Sequence, residues 1–219
     1  MHHHSGIFIT FEGPDGSGKS TQIKLLADAL MRDGYRVIVT REPGGTAIGD
    51  QIRAILLNPD NSRMNAQAEA LLLAASRAQH VHEKILPAMA EGHIVLCDRF
   101  VDASIAYQAA GLGLDVSQVE AINRFATGGV MPNRTYMLDV SVETGRQRIF
   151  ERLSHSGEAL DRIEQKGYEY HQRVREAFLK IAADQSDRVL LIDAARSPDD
   201  IFADIYADCQ RLLRVLSAE

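Results

Sequence analysis

Eight residues near the start of the chain have the types and the spacing of a phosphate-binding loop. Residues 13–20 read Gly-Pro-Asp-Gly-Ser-Gly-Lys-Ser, which matches the pattern Gly-x-x-x-x-Gly-Lys-[Ser/Thr] in full. Its glycines let the backbone curl so that N–H groups point inward at an anion. Lys19 can reach the β- and γ-phosphates of a nucleotide, and Ser20 can ligate Mg²⁺. The alternative is a glycine-rich surface turn that carries a solvated lysine.

The residues on either side favour the phosphate site over the turn. Ile7–Phe11 is a short apolar run typical of a strand, and residues 21–30 are apolar at helical spacing. A helix that begins at the loop adds the positive end of its dipole to the site. The sequence therefore predicts a nucleotide-binding segment that consists of Gly13, Pro14, Asp15, Gly16, Ser17, Gly18, Lys19, Ser20 and Thr21.

The composition is that of an ordinary globular domain. The chain has 219 residues, 45% of them hydrophobic, and a net charge of −6. This length suits one domain with a real core, so we expect a single domain over residues 1–219. The acidic balance argues against a nucleic-acid partner, and we expect neither a membrane span nor a signal peptide. His2-His3-His4 resembles a short purification tag and is set aside, so residues 1–5 are partly tag.

The cysteines and histidines do not suggest a metal centre. Cys97 and Cys209 are the two cysteines, and no Cys-x-x-Cys pair occurs. We therefore expect no disulfide framework and no zinc site, and we expect a reducing, cytoplasmic location. His80 and His82 are two residues apart and would not share a helical face, so we expect both to be solvated.

Strand-like and helix-like patterns alternate along the chain, which predicts an α/β fold. Continuous apolar strands indicate a parallel sheet that is covered on both faces, in three layers with five strands. The strands are predicted at 6–12, 35–40, 93–98, 134–139 and 188–193. The helices are predicted at 18–33, 46–57, 65–91, 102–110, 115–127, 142–153, 162–185 and 198–217. Asn65 and Ser197 are expected to cap two of these helices.

The ends of the predicted strands carry further polar residues. In open parallel sheets, ligands bind beyond the carboxyl ends of the strands. Asp98 follows an apolar strand and could hold Mg²⁺ together with Ser20. Arg99 offers a planar guanidinium that suits a phosphate. The alternative for this Asp-Arg pair is a surface ion pair at the end of a strand.

Four arginines surround a short polar stretch in the second half of the chain. Arg146, Arg148, Arg152 and Arg162 flank Ser154-His155-Ser156-Gly157. Arginines on a mobile loop near a phosphate site suggest a lid, which we assign to residues 152–162. The alternative is a solvated helix face followed by an irregular connection.

Taken together, these motifs resemble the thymidylate kinases of the bacterial type, over nearly the whole chain. The resemblance depends on the phosphate loop and on four further segments. These segments are Thr40-Arg41-Glu42-Pro43-Gly44-Gly45-Thr46, Arg77-Ala78-Gln79-His80, Asp98-Arg99-Phe100 with Ser104-x-x-Tyr107-Gln108, and Asp161-Arg162-Ile163-Glu164-Gln165. The first of these and the Asp-Arg-Phe…Tyr-Gln segment are specific to that family in this order and spacing. The fold implied is the P-loop kinase fold.

The resemblance implies that dTMP is phosphorylated to dTDP with ATP and Mg²⁺, commonly by a homodimer. It places Arg77 and Arg99 on the dTMP phosphate, and Asp15 on the sugar 3′-hydroxyl. The family divides into a type with an arginine in the loop and a type that supplies arginines from the lid, and Gly16 places this chain in the second type. The other acceptor-side residues implied are Ser104, Tyr107 and Gln108 at the thymine and sugar, Glu42 and Pro43 against the acceptor, and Glu164 closing over it.

The chain also departs from the family pattern. Leu73 stands where the family has an aromatic residue that stacks on thymine, a contact worth about 1–3 kcal/mol. Leu112 replaces a frequent arginine, and the lid between Leu153 and Leu160 is longer than usual. Among Arg148, Arg152 and Arg162, we expect Arg152 to act with Lys19, Asp15 and Arg99 in catalysis.

Several structural expectations and three rival functions accompany this interpretation. Leu71 and Leu72 are expected in the core, and the Glu42–Pro43 bond is a candidate for the cis form.

The nearest rival function is that of another P-loop nucleoside monophosphate kinase with a different base. A GTPase-type switch should carry Asn-Lys-x-Asp, which the sequence lacks. A DNA-acting ATPase is disfavoured by the acidic balance.

Overall fold

One parallel sheet forms the centre of the molecule. The computed structural model describes residues 6–157 and 159–216, so His2–His4, Glu158 and residue 217 of the last predicted helix lie outside the described residues. Within them, five strands pair in parallel in the order β2-β3-β1-β4-β5. The strands are β1 (Ile7–Glu12), β2 (Val37–Arg41), β3 (Ile94–Asp98), β4 (Arg134–Asp139) and β5 (Val189–Asp193). The predicted five-stranded parallel sheet is confirmed.

Helices connect the strands and cover the sheet. They are α1 (Lys19–Arg32), α2 (Ala47–Leu57), α3 (Ala66–His80), α4 (Leu86–Ala90), α5 (Val101–Ser104), α6 (Val116–Thr127), α7 (Val142–Ser156), α8 (Tyr168–Asp184) and α9 (Pro198–Leu216). A π-helical turn, Val81–Ile85, joins α3 to α4, and another, Ile105–Gly111, extends α5. None of these described helices is long and apolar enough to cross a membrane. Asn65 caps α3 through the Ala68 N–H, and Ser197 accepts from the Asp200 N–H, as predicted.

Alternate side chains of each strand point to opposite layers, as the two-residue period of a strand requires. Ile9 and Phe11 of β1 pack against buried residues of α1 and α9 on one face. Phe8 points the other way, into a cluster with residues of the turn after α3 and of α4. Met137 of β4 packs on that same face against α8. The sheet is therefore buried on both faces, which leaves its carboxyl edge as the place for a site.

Three local expectations differ from the structure. α8 begins at Tyr168 rather than at residue 162, because the Asp161 carboxylate accepts the Ile163 and Glu164 N–H groups, both at 2.8 Å, and forms a turn instead. α7 extends to Ser156 and ends at Gly157, so the first residues of the predicted lid are helical. The expectation that Leu71 lies in the core is wrong, since it is 56% exposed.

A buried carboxylate fixes the chain where it leaves β3. The Phe100 N–H donates to Glu12 Oε1 at 2.6 Å, and the Arg99 N–H donates to the Phe11 carbonyl at 2.9 Å. Between these bonds Arg99 takes a φ of 69°, a left-handed conformation that is uncommon for a residue with a side chain. Burial, together with the charge of Asp102, raises the pKa of Glu12 to about 8. The two bonds hold Arg99 in a conformation that aims its side chain at the phosphate loop.

The phosphate loop and α7 touch backbone to backbone. Gly16 has a φ of +76°, and a Cβ built there would lie 2.3 Å from the Gly145 carbonyl oxygen. A Cβ at Gly145 would lie 2.6 Å from the Asp15 carbonyl oxygen. These distances are shorter than any ordinary contact, so the approach of α7 to the loop requires glycine on both sides. Gly16 therefore serves packing as well as the loop's own curvature.

We expect Gly145→Ala to separate α7 from the phosphate loop. The added methyl group has no free space and must displace the Asp15 backbone, at a cost of about 1–3 kcal/mol in the free energy of unfolding. Urea denaturation measures this change. Gly167→Ala is the matched control, because a Cβ there meets no atom within 4 Å. It alters only a helix N-cap preference, worth less than about 1 kcal/mol. Equal losses in the two variants would contradict the packing argument.

Candidate active site

A cavity of about 740 Å³ opens at the carboxyl edge of the sheet, between the phosphate loop and α3, the helical segment after β3, and α7. Most residues predicted for the site line it. They are Asp15, Gly16, Gly18, Lys19, Ser20, Thr21, Glu42, Pro43, Leu73, Arg77, Asp98, Arg99, Ser104, Tyr107, Gln108, Arg152 and Glu164. Of the remaining predicted residues, Gly13, Pro14 and Ser17 belong to the loop but do not line this cavity. One concave space thus collects side chains from distant parts of the sequence.

Lys19 is folded onto its own loop. Its Nζ donates to the carbonyl oxygens of Pro14 at 2.8 Å and Gly13 at 3.1 Å, and the residue is buried. Burial, helped by the nearby charge of Arg99, lowers the pKa of Lys19 to about 8. An anion in the loop would favour the charged ammonium and oppose both effects.

Ser20 and Asp98 meet at the edge of the sheet as predicted. The Ser20 hydroxyl donates to Asp98 Oδ2 at 3.1 Å. Asp98 Oδ1 is buried and has no hydrogen-bond partner among the described residues. A buried carboxylate oxygen without a partner, beside a hydroxyl, suits a hard cation that prefers oxygen ligands. The two residues therefore fit Mg²⁺ chemically.

Asp15, Arg99 and Tyr107 form a closed triangle beside the loop. Arg99 Nη2 donates to Asp15 Oδ1 at 2.6 Å and to Tyr107 Oη at 3.0 Å, and the Tyr107 hydroxyl donates to Asp15 Oδ2 at 2.9 Å. Burial alone would raise the pKa of Asp15, but the charges of Arg99 and Lys19 outweigh it and hold this pKa well below the ordinary value. Asp15 is therefore a carboxylate whose two oxygens are already occupied.

Arg77 lies at the other end of the cavity in a network of its own. Its Nε donates to Glu42 Oε2 at 2.7 Å, and its Nη2 donates to the Phe100 carbonyl at 2.8 Å. Its Nη1 donates to Ser104 Oγ at 2.8 Å and also to Asn123. These bonds use four of the five N–H groups of the guanidinium.

His80 belongs to the same network, so the expectation that it is solvated is wrong. It is fully buried, and its ring bonds Glu42 Oε1 at 2.9 Å and Thr40 Oγ1 at 2.7 Å. His82, two residues on, is exposed as expected. Glu42 is thus held on both oxygens, one by Arg77 and one by His80. The Glu42–Pro43 peptide bond that follows is cis, as the sequence suggested.

Arg53 lines the cavity and was not identified from the sequence. Its Nη1 donates to the Pro43 carbonyl at 3.0 Å. Burial and the charges of Arg41 and Arg99 lower its pKa from the ordinary value, which places Arg53 in a cluster of arginines. One feature of the sequence could have identified Arg53. It stands seven residues, or two helical turns, after Thr46, so it lies on the face of α2 that begins at the edge of the sheet.

The arginines of the predicted lid have different surroundings. Arg148 donates to the carbonyls of Gly16 at 3.3 Å and Ala194 at 3.1 Å, so it contacts the phosphate loop directly. Arg152 is half exposed, lines the cavity and donates to Glu164 Oε1 at 2.7 Å. Arg162 is buried and points elsewhere, since its Nε donates to the Leu56 carbonyl at 2.7 Å. Arg148 and Arg152 face the cavity, whereas Arg162 anchors the segment behind it.

A buried chain of polar side chains runs behind the cavity wall. Arg162 Nη2 donates to Glu69 Oε2 at 2.7 Å, and Gln108 Nε2 donates to Glu69 Oε1 at 2.9 Å. Gln108 lines the cavity, but Glu69 and Arg162 do not. Leu73, one helical turn after Glu69 on α3, contributes an aliphatic wall.

Comparison with known proteins finds the same family that the sequence motifs resemble. The family model described as thymidylate kinase matches residues 11–205. The chain is 50% identical over 210 residues to a thymidylate kinase of Exiguobacterium sibiricum, with 96% of this chain and 97% of that protein covered. It is 50% identical over 193 residues to that of Enterococcus faecalis, covering 88% and 90%, and 49% identical over 203 residues to that of Geotalea uraniireducens, covering 92% and 95%. With its phosphate loop, cavity and nearly full-length similarity, the chain belongs to the thymidylate kinase family.

Proposed function

We propose that the protein transfers the γ-phosphoryl group of ATP to dTMP and forms dTDP and ADP, with Mg²⁺. The observation that carries this proposal is one cavity with two separate cationic regions. The phosphate loop with Lys19 forms the first, and Arg99 with Arg53 forms the second. A kinase that acts on a nucleoside monophosphate needs such an arrangement, because it must bring two anions together in line.

On the donor side, the loop from Gly13 to Thr21 holds the ATP phosphates. Lys19 leaves the loop carbonyls and donates to the β- and γ-phosphates, which replaces neutral acceptors with charged ones. Ser20 and Asp98 hold Mg²⁺, which when bound neutralises phosphate charge. Arg148 and Arg152 approach from α7 and neutralise the transferring group.

On the acceptor side, Arg99 and Arg53 bind the dTMP phosphate. We assign Arg77 to the base instead, because four of its five N–H groups are already donated to described residues. Ser104, Tyr107 and Gln108 complete the wall for base and sugar, with Glu42 and Pro43 beneath and Leu73 against the base. When the dTMP phosphate takes Arg99, the Asp15 carboxylate is freed to accept a hydrogen bond from the 3′-hydroxyl.

The reaction needs little proton chemistry from the protein. A phosphate oxygen of dTMP is already anionic near neutral pH, so no strong general base is required. Catalysis depends on alignment and on neutralisation of charge. Residues 152–162 act as a lid whose fixed end is the anchored Arg162. The lid closes over the single domain and excludes water, which otherwise competes as acceptor. Glu164 swings from Arg152 toward the acceptor as the lid closes.

A second candidate has a specific observation in its favour. Leu73 offers the base an aliphatic wall rather than a stacking ring. The same machinery would then serve a nucleoside monophosphate with a different base. The two candidates share every donor-side residue and differ only in the base they accept.

The test of the function is a panel of acceptors with ATP and Mg²⁺: dTMP, dUMP, UMP, CMP and AMP. We expect dTMP to give the highest kcat/KM in a coupled ADP assay, and a higher value for another acceptor would favour the second candidate.

Lys19→Ala should lower turnover at least about a hundredfold with the fold retained, because the transition-state charge loses a cation of the phosphate loop. Lys24→Ala, at an exposed position farther along α1, is the control and should keep full turnover. Normal turnover in a folded Lys19→Ala variant would refute the assignment.

We also propose that the protein is a cytoplasmic homodimer. Leu71 on α3 and Ile48 on α2 are 56% and 51% exposed, and Phe125 on α6 is 90% exposed. α3 packs against both α2 and α6, so these apolar side chains lie on adjoining helices. Exposed aromatic and aliphatic groups of this kind are typical of subunit interfaces.

The proposed cytoplasmic location is supported by the cysteines. Cys97 and Cys209 are both free and buried, which is compatible with a reducing compartment.

We expect Phe125→Glu to weaken the dimer at least about tenfold, because a charge would enter an apolar interface. Sedimentation velocity over a range of concentrations measures the dissociation constant. Val215→Glu on α9 is the control, since Val215 is 59% exposed on a helix outside that group. A wild-type protein that is monomeric at micromolar concentration would contradict the proposed dimer.

A further inference from the structure

We propose that Glu69, held in place by Arg162, is a positioning residue that determines which pyrimidine the cavity accepts, through the orientation of the Gln108 amide. The inference rests on the proposed function, in which Gln108 and Arg77 face the base. Neither Glu69 nor Arg162 lines the cavity. The effect that we assign to them on the choice of base is exerted through Gln108, which bonds Glu69 directly.

Hydrogen bonds to both of its oxygens fix the orientation of the Glu69 carboxylate. Its Oε2 accepts from Arg162 Nη2 at 2.7 Å and its Oε1 accepts from Gln108 Nε2 at 2.9 Å. Arg162 is fixed in turn, because its Nε donates to the Leu56 carbonyl and its backbone N–H donates to the Leu57 carbonyl. Glu69 is 1% exposed, Gln108 2% and Arg162 8%, so water does not compete for these bonds.

This geometry decides which end of the Gln108 amide faces Glu69. An ionised carboxylate only accepts hydrogen bonds, so Gln108 must turn its NH₂ group toward Glu69. Its Oε1 then remains for the cavity and accepts no hydrogen bond from the described residues. Ser104 lies one helical turn before Gln108 and accepts from Arg77, which places the remaining Arg77 N–H group at the same end of the cavity.

The base edge that fits is an imide. Gln108 offers an acceptor and Arg77 offers a donor. Thymine and uracil present N3–H and a C4 carbonyl, which complement both. Cytosine presents a lone pair at N3 and an amino group at C4. Gln108 would then place an acceptor against an acceptor, and Arg77 a donor against a donor. A buried site that must hydrogen-bond its substrate strongly rejects an analogue that leaves its polar groups unpaired.

Glu69→Gln tests the orientation directly. Arg162 still requires an acceptor, so the oxygen of the new amide should face Arg162 and its NH₂ group should face Gln108. Gln108 would then turn over and present its own NH₂ group to the base. Calorimetric titration with dTMP and with dCMP, without ATP, measures the result. We expect a wild-type preference for dTMP of at least about a hundredfold, which falls at least about tenfold in the variant.

A double variant keeps the test valid if Glu69→Gln does not fold. Combining Glu69→Gln with Gln108→Glu retains the net charge and restores a donor–acceptor match across the pair. One oxygen of the carboxylate introduced at position 108 would face the base as an acceptor, so the preference for dTMP should return to within about threefold of the wild type. A double variant without that preference would overturn the proposal.

The control is Asp208→Asn on α9, which also removes a buried carboxylate that is paired with an arginine, Arg134. It should cost stability without changing the ratio of the two affinities. A Glu69→Gln variant that weakens dTMP and dCMP equally would show a merely structural role and overturn the inference. A wild-type protein that binds dCMP as well as dTMP would refute it too, whereas failure to bind any pyrimidine monophosphate would refute the proposed function itself.

Discussion

The ion pair between Asp15 and Arg99 is the contact on which the rest of the site depends. It joins the phosphate loop after β1 to the end of β3, and it exists because these two strands are neighbours in the sheet. Both side chains are largely removed from water, with about a fifth of each exposed. A buried arginine without a counter-charge is costly, so a carboxylate must hold it until an anion arrives. The pair therefore keeps a cationic pocket stable while it is empty.

The same requirement explains the other carboxylates around the cavity. Glu42 neutralises Arg77, and Glu164 meets Arg152 on α7. Asp98, beside Ser20, balances the charge of Lys19 and raises the tendency of that lysine to stay protonated. Lys19, Arg99 and Arg152, three of the cations proposed to touch a substrate phosphate, each have an acidic residue nearby. In the proposed reaction, the acceptor phosphate replaces Asp15 on Arg99, and Asp15 becomes free to bind the sugar.

Support for this arrangement comes from the backbone. Glu12 fixes the Phe100 N–H, and the left-handed conformation of Arg99 follows from that bond and from its own bond to Phe11. Gly16 and Gly145 permit α7 to lie directly on the loop, so Arg148 reaches the Gly16 carbonyl. Rigid strands and one close helix thus position groups that act on phosphate, which is how binding loops gain precision from a scaffold.

The sequence predicted the parts of the site that are local or repeat a periodic pattern. The phosphate loop is a contiguous motif, and the rule that ligands bind beyond the carboxyl ends of parallel strands singled out Asp98 and Arg99. Residues whose roles depend on partners far along the chain were missed or misread. His80 is buried because Glu42 and Thr40 form hydrogen bonds with its ring. Arg53 lies at the cavity because it donates a hydrogen bond to the Pro43 carbonyl. The start of α8 was misplaced because a single side chain, Asp161, competes with the helix for N–H groups.

The most direct measurement of this account compares dTMP with thymidine, which lacks the phosphate. If Arg99 exchanges Asp15 for the acceptor phosphate, calorimetry on the wild type should show dTMP binding at least about a hundredfold more tightly than thymidine. In an Arg99→Ala variant, the two ligands should bind within about tenfold of each other, since the phosphate has lost its principal partner. A variant that keeps the full preference for dTMP would contradict the account, because the phosphate would then be held without Arg99.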